Sequence, residues 1–255
     1  MTDVYKTPSA NLVKPVSVDG YGSLERGIAG QYQFSIRDII REAWNKTSGV
    51  KGTIWLAMIL YLVIAVPVSI GVPFILELVG LPSEPDPGQA MTATMFIGII
   101  VSQVVVMLVT LPLGAGLFMV GLKIASGVDV SASEVLNYFH KSLTLLGTVI
   151  VLYIMLIIGF MLLVIPGIYL MFAYYLAIPL VVEKGLRPWQ ALEASRKAVS
   201  KRWFRFAGLS IALWLLMIVA AIPLGIGLIW VLPLMLIAYG IAYRNIFGFG
   251  AAPAA

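Results

Sequence analysis

The chain has no cysteine among its 255 residues and a single histidine, His140. The first absence excludes disulfides and thiolate metal sites, and the second excludes a histidine metal cluster within one chain. Charge is scarce too: 11% of residues are Asp, Glu, Lys or Arg, against about 25% in a soluble domain. Water does not hold a surface so poor in charge. With 60% hydrophobic residues and a mean hydropathy of +0.99, lipid must cover much of the molecule. Residues 1–33 lack the apolar stretch of a secretory signal. Rich in Ser, Gly, Pro and charge, they read as a disordered cytoplasmic tail.

What the chain does have is four long uncharged runs. A membrane-crossing helix needs about 20 apolar residues, so Gly52–Leu76 and Met91–Leu122 each fit one crossing. Ser142–Val182 and Phe206–Tyr243 hold 41 and 38 residues, too many for one helix rising about 1.5 Å per residue. Pro166-Gly167 and Pro223-Leu224-Gly225 sit near their middles and punctuate a helix, so each run divides into a hairpin. The expected fold class is an all-α membrane protein with six transmembrane helices.

Charge placement orients these helices. Residues 1–51 hold seven of the 17 basic side chains, the segment 123–141 holds Lys123 and Lys141, the segment 183–205 holds seven more, and Arg244 is the last. The opposite loops hold only acids: Glu77, Glu84 and Asp86. The positive-inside rule then places the N- and C-termini in the cytoplasm.

A threefold repeat runs through the pattern. Ile36, Ile39, Ile40, Ala43 and Trp44 recur at helical spacing against a polar face of Arg37, Asp38, Arg41, Glu42, Asn45 and Lys46. Val135, Leu136, Phe139 and Leu143 face away from Glu134, Asn137, His140 and Lys141, and Leu192, Ser195, Val199 and Trp203 oppose Arg196, Lys197, Lys201 and Arg202. Such amphipathic helices lie in the headgroup plane. Ser131 with Glu134 has the capping-box spacing, Ser35 with Asp38 a near version, and Pro188 suits a first helical position. The second helix of each hairpin carries Pro-Leu, at Pro112, Pro179 and Pro233. The expected organisation is a tail at 1–33, a six-helix domain at 34–248 and a short C-terminal tail at 249–255. The repeats cover about 34–127, 130–185 and 186–248, each an interfacial helix followed by a transmembrane hairpin.

Residues 164–209 carry a recognisable pattern: Pro166-Gly167, an aromatic helix, Pro179, Glu183, Ala191-Leu192 with Ser195, then Trp203-Phe204-Arg205. It resembles the YciC-like bacterial inner-membrane proteins of unknown function and the membrane domain fused to some glycerophosphodiester phosphodiesterases. The resemblance implies a multi-pass protein of the bacterial inner membrane and is silent on activity. No phosphodiesterase catalytic domain accompanies it here.

The carboxylates are scattered, and no catalytic, cofactor or metal constellation is apparent. No ionisable residue falls near a bilayer centre, where coupled transport usually leaves one. The segment 183–205 has seven bases and two acids. Arg196, Lys197, Lys201, Arg202 and Arg205 are candidates for docking anionic lipid or an acidic membrane-protein partner, or serve only to set topology. Pro166, Gly167, Pro223 and Gly225 mark turns. Pro112, Pro179 and Pro233 mark kinks that either shape the bundle or open a cavity. The expectation is a non-enzymatic membrane protein organising lipid or serving as an accessory or scaffold subunit, with a homo-oligomer as an option and no nucleic acid. The alternative is a channel or transporter for a small or lipidic substrate, working between proline-kinked helices.

Overall fold

The computed structural model describes residues 21–83 and 91–250, and among them the regular structure is helical throughout. The elements are α1 (Leu24–Ala29), α2 (Ile36–Thr47), α3 (Lys51–Leu78), α4 (Ala93–Ala125), two 3-10 turns (Ala132–Leu136 and Phe139–Lys141), α5 (Ser142–Leu162), α6 (Val164–Ala173), α7 (Ala177–Lys184), α8 (Pro188–Ser200), α9 (Trp203–Ala221) and α10 (Leu228–Phe247). Six helical stretches are long and apolar enough to cross a membrane: α3, α4, the 3-10 turns with α5, α6 with α7, α9, and α10.

Local chemistry starts and stops several of these elements. Ser35 Oγ accepts the Asp38 N–H at 3.4 Å and opens α2. Thr92 does the same for Met95 at the head of α4, at 3.2 Å. Pro188 opens α8, and Gln190 Oε1 reaches back to the Arg187 N–H at 3.3 Å. Gly185, at φ +68°, ends α7 in the left-handed region.

The longest helices, α3 and α4, form an antiparallel pair. Gly98 lies against the Leu81 and Pro82 carbonyls at one end of the pair, and Tyr61 shares a cavity wall with Gly114 and Phe118 further along. Lys51 and Ala125 therefore mark the same end. Much of α3 is bare of protein: Leu56, Ile59, Val63, Val66 and Ile70 are all exposed, as a lipid-facing helix requires.

A different environment surrounds α10. It crosses α4 where both helices carry glycine. A Cβ on Gly121 would lie 2.5 Å from the Leu236 carbonyl oxygen, and one on Gly240 would lie 2.7 Å from that of Gly121. Helix α2 covers the outer side of α10, fixed by an Arg244–Glu42 fork with both N···O distances at 2.9 Å. Arg244 also donates to the Ala125 carbonyl. At its other end, α10 meets the start of α3: the Trp55 indole N–H donates to the Ile229 carbonyl at 3.1 Å, and Lys51 Nζ sits 5.4 Å above the Trp230 ring.

Two expectations need correction. The tail expected to run through residue 33 is folded from Tyr21 onward; residues 1–20 lie outside the described segment, as do 251–255. Helix α1 packs on α8 and α10 because Gly27 lets the backbones approach; a Cβ there would lie 2.7 Å from the Ile246 carbonyl oxygen. The second amphipathic helix is not an α-helix but two short 3-10 turns. Ser131 pairs with Ser133 at 2.7 Å instead of capping, and Glu134 turns inward. Glu134 accepts from Lys123 at 2.8 Å, from Asn137 at 3.1 Å and from the Tyr138 hydroxyl. The inward ion pair competes with a capping box for the same carboxylate.

Candidate functional site

Basic and amide side chains converge where the N-terminal segment meets the α8–α9 junction. Residues Tyr32 to Phe34 lie across this junction. The Tyr32 hydroxyl donates to the Ala198 carbonyl at 2.8 Å, Arg205 Nη1 donates to the Phe34 carbonyl at 3.2 Å, and the Phe34 and Phe206 rings lie 6.0 Å apart. The Arg202 guanidinium sits 5.6 Å from the centre of the Tyr32 ring. Burial pushes the Tyr32 hydroxyl up to about 12, with the nearby Arg202 charge opposing the shift.

Beside this contact is an open cavity of about 650 Å³, lined by Tyr21, Arg26, Gln31, Tyr32, Gln33, Arg202 and Asn245 together with Gly22 and Gly30. Two guanidiniums, three amides and two phenols face it, and among the described residues no carboxylate does. Arg202 Nε is buried and has no hydrogen-bond partner among the described residues. Elsewhere at this end several charges are matched. Arg244 has Glu42, Lys123 has Glu134, and Glu183 meets Lys184 at 3.1 Å and the Tyr243 hydroxyl at 2.8 Å.

The five basic residues expected to dock a ligand separate into distinct roles. Arg196 is held in a fork by Glu193, at 2.9 and 2.8 Å, and Lys197 reaches the same carboxylate at 3.4 Å. The Arg196 hydrogen bonds hold the Glu193 carboxyl below its ordinary range despite partial burial, and raise Arg196 in turn. Lys201 is exposed, and its stem packs on Gly30. Arg205 holds the Phe34 backbone, so of the five only Arg202 lines the cavity. Arg26, Gln31, Tyr32 and Gln33 were missed in the sequence because they lie in the segment taken as tail. The Tyr-x-Phe alternation at Tyr32 and Phe34, a buried pair, was the signal that could have found them.

The proline positions are also dispersed. Pro112, Pro179 and Pro233 are buried inside α4, α7 and α10. The α5–α6 reversal falls at Leu163, ahead of Pro166 and Gly167, and Gly167 lies against the Phe160 ring. Pro223 and Gly225 lie in the α9–α10 turn, Gly225 at φ +77°. The chain breaks between α6 and α7 at Tyr174 to Leu176. There, cavities of about 360 and 560 Å³ share Met171 and Tyr175. His140 is exposed, and among the described residues no three of His, Asp or Glu gather to hold a metal ion.

No family model matches the chain, and neither a curated protein nor a solved structure does.

Proposed function

We propose that this integral membrane protein organises anionic lipid at the bacterial inner membrane, with its charged end and both termini in the cytoplasm. It does so without catalysis, alone or as a scaffold subunit of a membrane complex. The observation that carries this reading is the cavity between Arg26 and Arg202, which no carboxylate among the described residues lines. A guanidinium fork matches a phosphate in two parallel hydrogen bonds, and Gln31, Gln33 and Asn245 offer partners to the rest of a polar headgroup. The surrounding surface suits an anionic leaflet. Arg37, Arg41, Lys197 and Lys201 are exposed beside Trp44, Trp189 and Phe204, which are exposed as well. Each basic side chain near such a leaflet contributes about 1 kcal/mol of attraction.

The three-unit organisation and the YciC-like kinship belong to the same proposal, supported by the spacing of Pro112, Pro179 and Pro233. Native mass spectrometry of protein extracted in mild detergent tests the lipid reading. The parent protein should retain phosphate-bearing anionic lipid. The double variant Arg26→Gln, Arg202→Gln should remain monodisperse and lose about tenfold of it. A lipid-free parent, or a variant that retains the same lipid, overturns the reading. A second reading, passage of a small or lipidic substrate, is favoured by the two cavities that share Met171 and Tyr175 at the α6–α7 break. Reconstituted vesicles whose flux is abolished by Pro112→Ala or Pro233→Ala would establish it.

A further inference from the structure

In a six-crossing layout, the α5–α6 and α9–α10 turns lie on the side that has no basic residue. Each is instead held against the basic set. Ile165, two residues past the α5–α6 reversal, lines an apolar cavity of about 480 Å³ with Ile168, Tyr169, Trp203 and Phe204. The Trp203 indole donates to the Tyr169 carbonyl at 3.1 Å, and the Tyr169 hydroxyl meets Ser200. Lys201, Arg202 and Arg205 flank these contacts in the chain. From Tyr169 to the reversal at Leu163 is six residues, about 9 Å at helical rise.

The other turn repeats the arrangement. It ends at Gly227, three residues before Trp230, which lies under Lys51 Nζ. Lys51 marks the same end of the α3–α4 pair as Ala125, whose carbonyl Arg244 reaches. Both ends of α10 thus belong to the charged end of that pair, and the helix lies across it. A bilayer core is about 30 Å thick. A turn about 9 Å beyond a residue tethered to the basic layer falls short of the opposite headgroups, even with lysine and arginine stems extended toward water.

The chemistry of the three reversals agrees. The α3–α4 connection contains Ser83, Glu84, Asp86 and Gln89, as suits a segment that emerges into water. Leu162 to Pro166 and Ile222 to Ile226 contain no polar side chain, and Ile165 and Leu224 are 78% and 96% exposed. The backbone of the α9–α10 turn is fitted to hydrocarbon, which tolerates no open N–H or C=O groups at low cost. The Leu224, Gly225, Ile226 and Leu228 N–H groups donate to the Ile222, Ala221, Pro223 and Gly225 carbonyls at 2.8 to 3.0 Å. Pro166 and Pro223 have no N–H to satisfy.

We propose that α5–α6 and α9–α10 are re-entrant hairpins confined to the leaflet on the basic side. Only α3 and α4 then cross, and the chain acts as a wedge that adds area to one leaflet. Its partner is that leaflet's acyl region, and its effect is to bend the membrane toward the basic side. The proposal is independent of the headgroup cavity.

The absence of cysteine makes the test direct. Single variants Ser83→Cys, Leu163→Cys and Leu224→Cys carry a fluorophore and are reconstituted in vesicles with spin-labelled quencher lipid in one leaflet only. Leu163 and Leu224 are exposed enough to keep the fold; Val79→Cys, at a 65% exposed position, backs the half-buried Ser83, and Met161→Cys, at an 82% exposed position, serves as a second α5–α6 probe. The label at 83 should be quenched from the leaflet opposite the basic side. Labels at 161, 163 and 224 should be quenched at least as strongly from the basic-side leaflet as from the other. Dominant quenching from the opposite leaflet overturns re-entrance. In vesicles carrying the protein with its basic side outward, diameter should fall as the protein-to-lipid ratio rises, and an unchanged diameter overturns the wedge.

Discussion

Helices α3 and α10 are both apolar enough to cross a membrane, yet protein buries 6% of the most apolar stretch of α3 and 67% of that of α10. Hydropathy records exclusion from water and says nothing about what replaces it. Around α3 the replacement is lipid, and large aliphatic side chains face outward along it. Around α10 it is α1, α2, α4 and α9, and close approach depends on small residues such as Ala238, Gly240 and Ala242. The two helices thus differ in how they tolerate added bulk, charge and loss of a partner.

The largest expected effect is at the α4–α10 crossing. Gly121→Leu forces a side chain into the Leu236 carbonyl and should leave no monodisperse protein by size-exclusion chromatography in detergent. Gly114→Leu on the same helix, where an added Cβ meets nothing within 4 Å, should behave like the parent. Equal behaviour of the two would dissolve the contrast between lipid-facing and protein-facing surfaces.

Next comes the ion pair that fastens α10 to α2. Arg244→Met leaves Glu42 only its 3.8 Å contact with Lys46 and strands the Ala125 carbonyl, and should cost about 3 kcal/mol in detergent unfolding, at the low end for a broken buried pair because Glu42 is partly exposed. Tyr32→Phe removes the bond to the Ala198 carbonyl and should cost about 1 kcal/mol. No loss there would mean the Tyr32 hydroxyl adds nothing to the hold of the N-terminal segment on α8.

The smallest effect lies on α8. Glu193→Gln breaks a partly exposed helical pair with Arg196 and should cost on the order of 0.3 kcal/mol. Its folded carboxyl titrates below its ordinary value. Its stabilisation is therefore complete above the usual glutamate range, about 4.3, and is lost as pH falls through the lowered value. A melting-temperature difference between parent and Glu193→Gln that is present at neutral pH and gone in acid would show this.

Much of the architecture was legible in the sequence because it depends on local rules. The uncharged runs gave the apolar helices, Ser35 and Pro188 marked the starts of α2 and α8, and the breaks fell near Pro166 and Pro223. What was hidden depends on partners distant in the chain. Glu134 looked like a cap residue because the sequence does not reveal Lys123 beside it. Gly22 and Gly27 looked like signs of flexibility, whereas they permit contact with Ile246. Arg202 could be named as a candidate, but its cavity needs Arg26, 176 residues earlier. The level of the α9–α10 turn was equally out of reach, since it is set by Lys51 and Trp55.

The Arg244–Glu42 fork joins residues 202 apart in sequence. At a synthesis rate of about 5–20 residues per second, Glu42 leaves the ribosome roughly 10–40 s before its partner exists. Until then α2 has neither α10 beneath it nor a guanidinium to hold its carboxylate, and α1 has no Ile246 backbone to rest on. The first segments made are thus the last to settle, and nascent chains halted before Arg244 will carry an N-terminal region open to proteases and chaperones that finished chains keep closed.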